Sequence, residues 1–231
     1  MSSFFEIFVQ LQKGFGYSAA IFFLTILFSV PLGLLICFGR MSKIKPIAWL
    51  FRIYISVMRG TPLMLQLFVV YFCPFYIFKI MLREMGDHWM FLAVIIGFSL
   101  NYAAYFAEIY RSGIASMSEG QYEAAKVLGM SRSQTFFRVI LPQVVRRILP
   151  SMTNEIITLI KDTALASTVA VVELMTIAKK QVSSSSSIEP YLLAIVFYLV
   201  LNGVAEQLCK LEYRLSKLEH ETQENTQKEK E

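Results

Sequence analysis

The sequence predicts an all-α integral membrane protein with five spanning helices and a cytoplasmic helix–turn–helix loop between the third and fourth. Three observations lead there. Hydrophobic residues make up 55% of the 231 positions and charged residues only 17%, against roughly a quarter in soluble domains. The apolar residues gather into five stretches, each long enough for a hydrocarbon core of about 30 Å. Period-two alternation is absent, and backbone groups in lipid must be satisfied within the segment, so helices are the spanning form. Such a composition excludes disorder for most of the chain and disfavours an ordinary soluble enzyme.

The first stretch, 17–39, has 23 residues without a charge. It is too long for a cleavable signal, and a basic loop that stops transfer follows it. Residues 49–58 are partly apolar and read either as a helix approaching the membrane from the cytoplasmic face or as an early part of the second span. The second span, 63–82, carries only Lys79, and the third, 90–110, only Glu108. The fourth, 148–172, holds Glu155, Lys161 and Asp162, and the fifth, 190–209, only Glu206. A membrane domain of residues 1–216 then ends in a polar cytoplasmic tail, 217–231, read as a frayed, solvated helix end.

Loop charge orients the bundle. Arg40, Lys43, Lys45 and Arg52 follow the first span without an acid among them. Arg111, Lys126, Arg132, Arg138, Arg146 and Arg147 follow the third, and Lys210, Arg214 and Lys217 follow the fifth. Those segments are expected in the cytoplasm, with the N-terminus outside and the C-terminus inside. The mixed connection at Arg83, Glu84, Asp87 and His88 is expected outside, as is the segment with Lys179, Lys180 and the serines at 183–187.

Cys37, Cys73 and Cys209 lie far apart in or near apolar segments and read as buried small hydrophobes. His88 and His220 are too isolated for a metal site. No phosphate loop, catalytic set or nucleic-acid motif occurs. No catalytic residue, metal ligand or chain-bound cofactor is therefore expected.

The loop 111–147 carries the strongest local signal. Ser118 with Gln121, and Ser131 with Gln134, have capping-box spacing. Gly129 falls between them, where a helix stop needs positive φ. Pro142 marks where the second short helix ends or bends into the fourth span. The product is a projecting knuckle with Tyr122, Ala125, Leu128 and Phe136 on its apolar surface, packed on the chain's own loops or docked on a partner.

Glu123-Ala124-Ala125, Gly129 after three further residues, then Val139 and Leu141-Pro142 resemble the EAA loop of ABC importer permeases, with Val139 in place of isoleucine. Arg59-Gly60-Thr61-Pro62 with Gln66 resembles a segment of the polar amino acid permeases in that family. So do Asn101-Tyr102-Ala103-Ala104-Tyr105 through Glu108, Arg111 and Gly113, together with Asn154-Glu155, Lys161-Asp162-Thr163 and Val172-Glu173-Leu174. The resemblance spans roughly residues 15–215. It implies a permease subunit of an ATP-driven amino acid importer in a bacterial plasma membrane. The knuckle, through Tyr122, Glu123, Ala124, Ala125, Leu128 and Gly129, would rest in a groove of an ATP-binding cassette ATPase dimer that holds ATP and Mg. An extracellular binding protein would deliver the substrate.

Ionisable residues inside a span are costly and by default mark a site or pathway. Glu155 and Asp162 are seven apart, hence on one helix face with Thr158 between them, and Lys161 lies about 100° away. Two readings stand. One is an ion-pair network locking the helix. The other is a polar chamber for a zwitterion, with an acid for the α-ammonium and Lys161 or a free helix end for the α-carboxylate. The three charges sum to −1, which favours a cationic substrate. Pairing of Lys161 with Asp162 would leave a neutral substrate such as glutamine or cystine open. Asn101 is interhelical glue or a substrate contact, and the resemblance favours contact together with Thr163. Thr61, Pro62 and Gln66 sit at an ordinary proline kink or at a gate.

An ion-coupled secondary transporter would explain the intramembrane charges alone. It would normally show internal repeats, which are absent. Five helices are too few to enclose a path that alternates access, so a second permease subunit, identical or paralogous, is expected.

Overall fold

The computed structural model describes residues 2–79 and 82–228, which are helical almost throughout. The side chains of Arg83, Glu84, Asp87, Cys209, Arg214, Lys217 and His220 lie outside the described residues, as do positions 229–231 of the tail.

The bundle is organised around α1 (Ser2–Arg40) and α4 (Leu82–Ala115), which run parallel. Tyr17 meets Phe91 near one end, with ring centroids 6.3 Å apart. Further along, a Cβ on Gly33 would fall 2.9 Å from that of Phe106 and 3.0 Å from the Ala103 carbonyl oxygen. Only glycine allows the two backbones to approach this closely. Phe98, Tyr102, Ala103, Phe106 and Ala107 of α4 pack there with Ile21, Ile36 and Cys37 of α1 as the main core.

Helix α1 starts 15 residues before the predicted span. At about 1.5 Å per residue its 39 residues reach well beyond a hydrocarbon core. The extension is packed. Ile7 and Leu11 bury themselves against Leu174 and Ala178 of α8 (Leu174–Ser185) and Ala194 of α9 (Glu189–Lys228). Between these three helices Glu173 is completely buried. It caps α8, accepting from the Met175 and Thr176 backbone N–H groups at 2.7 Å each. The Ser18 and Tyr198 hydroxyls each donate to it at 3.4 Å. A buried carboxylate is tolerable when its lone pairs are filled in this way.

Three helical segments among the described residues are long and apolar enough to cross a membrane: Phe5–Arg40, His88–Ala115 and Glu189–Gln207. α2 (Lys45–Gly60) and α3 (Leu63–Phe78) make a fourth when taken together, although their axes differ by 112°. The ambiguous stretch 49–58 is thus the middle of α2. The expected continuous fourth span is corrected. α7 (Leu141–Asp162) ends as an α-helix at Asp162, and a 3₁₀ segment (Thr163–Val169) follows. α7 is not among the helices apolar enough to cross, because Arg146, Arg147, Glu155, Lys161 and Asp162 all lie on it.

The Glu173 cap makes a stability prediction. Glu173→Ala leaves buried donors on α1, α8 and α9 without an acceptor and is expected to cost about 2–3 kcal/mol, whereas Glu173→Gln, keeping one acceptor oxygen, costs less. Thermal unfolding of the detergent-solubilised protein measures both.

Candidate functional site: a broken helix and a polar cavity

Pro62 has no N–H to continue α2, and the residue before a proline is pushed out of the helical region. Thr61 accordingly sits at φ −121°, ψ 148°, and Pro62 becomes the N-cap of α3. The expectation of a kink inside one helix is therefore corrected to a break between two. A break inside an apolar bundle frees carbonyl groups, and each must find a donor. Gln66 and Asn101 supply them. Gln66 Nε2 donates to the Met58 carbonyl at 2.9 Å, the Thr61 carbonyl at 3.1 Å and Thr61 Oγ1 at 2.8 Å. Asn101, buried on α4, donates to the same Met58 carbonyl at 3.1 Å and to Gln66 Oε1 at 2.9 Å.

Beside the break lies a cavity of about 270 Å³, lined by Thr61, Leu63, Asn101, Tyr102, Tyr105, Glu155, Thr158 and Asp162. Four of the six predicted substrate residues meet there: Asn101, Glu155, Thr158 and Asp162. The other two do not. Lys161 is exposed and directed elsewhere, and Thr163 is buried, its hydroxyl donating to the Ile160 carbonyl at 2.8 Å. Thr163 instead borders an apolar groove with Ser18, Ile156 and Ile160. The 100° step per residue turns Lys161 and Thr163 away from Asp162 to opposite sides.

The supposed Lys161–Asp162 ion pair is also absent among the described residues. Asp162 accepts from the Tyr102 hydroxyl at 2.7 Å. The cation near the cavity is Arg59, whose guanidinium lies over the Tyr105 ring, 5.2 Å from its centroid, a geometry in which ring and cation attract. Sequence reasoning missed Tyr102, Tyr105 and this role of Arg59. Tyr105 had a signal, standing four residues after Asn101 on the same helix face.

In the knuckle, the second of the two capping boxes forms. Gln134 N–H donates to Ser131 Oγ at 3.3 Å and Ser131 N–H to Gln134 Oε1 at 2.8 Å. The first does not: Ser118 caps α5 (Glu119–Val127) without a side-chain bond. Its partner Gln121 is engaged elsewhere, exchanging two amide hydrogen bonds of 2.8 Å with Gln143 of α7. Gly129 has φ +72° with open space around it, so backbone conformation rather than crowding calls for glycine.

The second short helix is corrected as well. α6 (Arg132–Gln134), a π segment (Thr135–Ile140) and α7 follow without interruption. The wider turn absorbs Pro142, with Leu141 N–H reaching back five residues to the Phe136 carbonyl. Ala125, expected on the surface, is buried. Tyr122, Glu123, Ala124 and Leu128 are exposed, joined by Val127 and Phe137, which were not anticipated; Val127 is 87% and Leu128 78% exposed.

The family of binding-protein-dependent transport system inner membrane components matches residues 29–211. The chain belongs to that family. Its relatives include an L-cystine transport system permease of Bacillus subtilis, 42% identical over 71% of this chain and 67% of the relative. An octopine transport system permease of Rhizobium radiobacter is 38% identical over 80% of this chain and 78% of its own length. Among solved structures, an amino acid ABC transporter superposes with a TM-score of 0.81 at 32% identity, covering 90% of this chain and 95% of that one. A methionine ABC transporter shares the fold, with a TM-score of 0.67 at 17% identity. The resemblance to amino acid ABC permeases drawn from the EAA-like and Arg-Gly-Thr-Pro segments is borne out. As a family member the chain is a transport component rather than an enzyme, and ABC membership implies a partner ATPase.

The amide pair at the break is testable. Asn101→Ala and Gln66→Ala should each destabilise the protein and combine non-additively, with a coupling of about 1 kcal/mol. A double-mutant cycle in detergent unfolding measures it.

Proposed function

We propose that this chain is the five-span permease subunit of an ATP-driven importer for a polar amino acid, with a cationic one preferred. The observation that carries the reading is the cavity at the helix break. Its size suits one amino acid, and it places two carboxylates, Glu155 and Asp162, opposite the start of α3. An α-ammonium group is matched by Glu155, with Asp162 held in place by Tyr102. An α-carboxylate is matched by the N-terminal end of α3 and by Arg59 at the rim. This replaces the role first given to Lys161. With that lysine outside, the two acids and Arg59 again sum to −1, so a cationic side chain balances the site. A neutral polar substrate is the second reading, favoured by the presence of L-cystine permeases among the relatives.

The exposed face around Tyr122, Glu123, Ala124 and Leu128 supports docking of α5 on a cytoplasmic ATPase dimer, where ATP and Mg bind. The segments bearing Lys and Arg that follow the first, third and fifth spans then face the cytoplasm of a bacterium. α7 serves as the remaining span, its charged face turned to the path rather than to lipid. A second permease subunit, identical or paralogous, completes the path, and an extracellular binding protein supplies the substrate.

Two experiments test this. Glu155→Gln should reduce uptake of cationic amino acids into proteoliposomes at least tenfold while neutral ones fall less; equal loss for both removes the cationic preference. Gly129→Asp puts a side chain at a positive-φ turn beside the docking face. It should sharply reduce co-purification of the ATPase co-expressed from neighbouring genes, and full retention would count against docking through this knuckle.

A further inference from the structure

Helix α7 carries a lysine that its own chain leaves exposed at mid-membrane depth. Asp162 meets the Tyr102 hydroxyl at 2.7 Å. Tyr102 stands near the middle of the apolar stretch His88–Ala115, roughly 20 Å from either end. Lys161, the neighbour of Asp162, shares that depth and is exposed. Its four-carbon stem is too short to carry the ammonium to either interface. The ion pairs among the described residues are Glu108–Arg111 and Glu206–Lys210, and neither involves it. An ammonium at this depth is expensive against lipid and calls for a counter-charge.

The face around it suits a close helix contact. Counting 100° per residue from Thr158, Ser151 and Asn154 fall within about 40° of it. Both are exposed, Thr158 is half-buried, and its hydroxyl donates to the Asn154 carbonyl at 2.9 Å. Arg147, three turns earlier on the same arc, is held by the Ser116 carbonyl at 2.7 Å. Small polar residues let two helix backbones approach within a membrane. Lys161 lies about 60° to one side of this seam, and Asp162 and Glu155 lie about 40° and 60° to the other. Two copies inserted in the same direction are related by a two-fold axis along the membrane normal. Their α7 helices then run parallel, and each flank of one seam meets the opposite flank of the other. That pairing brings each Lys161 to the other copy's Asp162 and Glu155. We infer that the second permease subunit is an identical copy joined along the Ser151–Asn154–Thr158 seam, and that each copy's Lys161 is the counter-ion of the other copy's cavity. It cancels the −1 of Glu155, Asp162 and Arg59 while the cavity is empty, and a cationic substrate takes its place. The inference rests on the permease reading for α7 as a span and for the substrate, but the pairing is tested without any substrate.

The test uses membranes from cells expressing two differently tagged copies of the chain with the neighbouring ATPase, with Cys37, Cys73 and Cys209 replaced by alanine. Thr158→Cys in both copies should form a disulfide under mild oxidation, read as a doubly tagged band on a non-reducing gel. Lys161→Cys in one copy and Glu155→Cys in the other are bridged by a short bis-methanethiosulfonate reagent. That pair should give about tenfold more doubly tagged product than Lys161→Cys in both copies, because the two lysines lie on opposite sides of the two-fold axis. Lys161→Glu opposes like charges and should cut recovery of one tag through the other by about fivefold or more, whereas Lys161→Arg should preserve it. Absence of the Thr158→Cys disulfide, equal yields from the two lysine pairings, or unchanged recovery with Lys161→Glu would overturn the inference. The uptake assay on Glu155→Gln reports on the substrate reading separately.

Discussion

Two amides hold the site open. Where α2 stops and α3 starts, the backbone runs out of its own hydrogen-bond partners, and Gln66 and Asn101 make good the loss from two different helices. An unsatisfied carbonyl in an apolar bundle costs several kcal/mol. Without these donors the chain would be expected to straighten or water to enter. Because the break is stabilised, the start of α3 can stay turned toward a polar space. Thr61 and Leu63 line the cavity because of it, and Glu155 and Asp162 have an opposite pole.

The remaining architecture keeps other elements at fixed distances from that break. Close approach of α1 and α4 at Gly33 sets the backbone that carries Asn101, Tyr102 and Tyr105. Antiparallel packing of α7 against α4 brings Asp162 to the Tyr102 hydroxyl. The buried Glu173 cap anchors α8 to α1 and α9, so the 3₁₀ segment after Asp162 is fixed at its far end. Each contact joins polar groups across apolar helices, where satisfied partners confer specificity as well as stability.

The sequence made legible whatever depends on local rules. Long apolar runs located the long helices, positive φ at Gly129 and the Ser131 box followed from capping chemistry, and the seven-residue spacing put Glu155 with Asp162. Competition between partners was not legible. Gln121 has the spacing to complete a box with Ser118, yet Gln143 offers a two-bond amide exchange that capping cannot match. Lys161 adjoins Asp162 in sequence, but helix geometry turns it outward and a tyrosine from another helix takes its place. Pro142 would stop an α-helix, but a π turn relieves the clash and lets the helix run on. In all three cases the deciding partner is distant in sequence or lies in a backbone form that propensities do not encode.

That unbroken run from Arg132 to Asp162 has a mechanical consequence. Roughly 45 Å of helix joins the capped end of the knuckle to the carboxylate wall of the cavity. A continuous helix of this kind carries a tilt imposed at one end to the other, with the π segment and Pro150 inside α7 as the two points where it can bend. The Gln121–Gln143 exchange clamps α5 to this helix near its near end, and the Tyr102–Asp162 bond is a brittle joint at its far end. Motion would be registered at the cavity by the parting of one hydroxyl from one carboxylate, without any relay of intermediate residues.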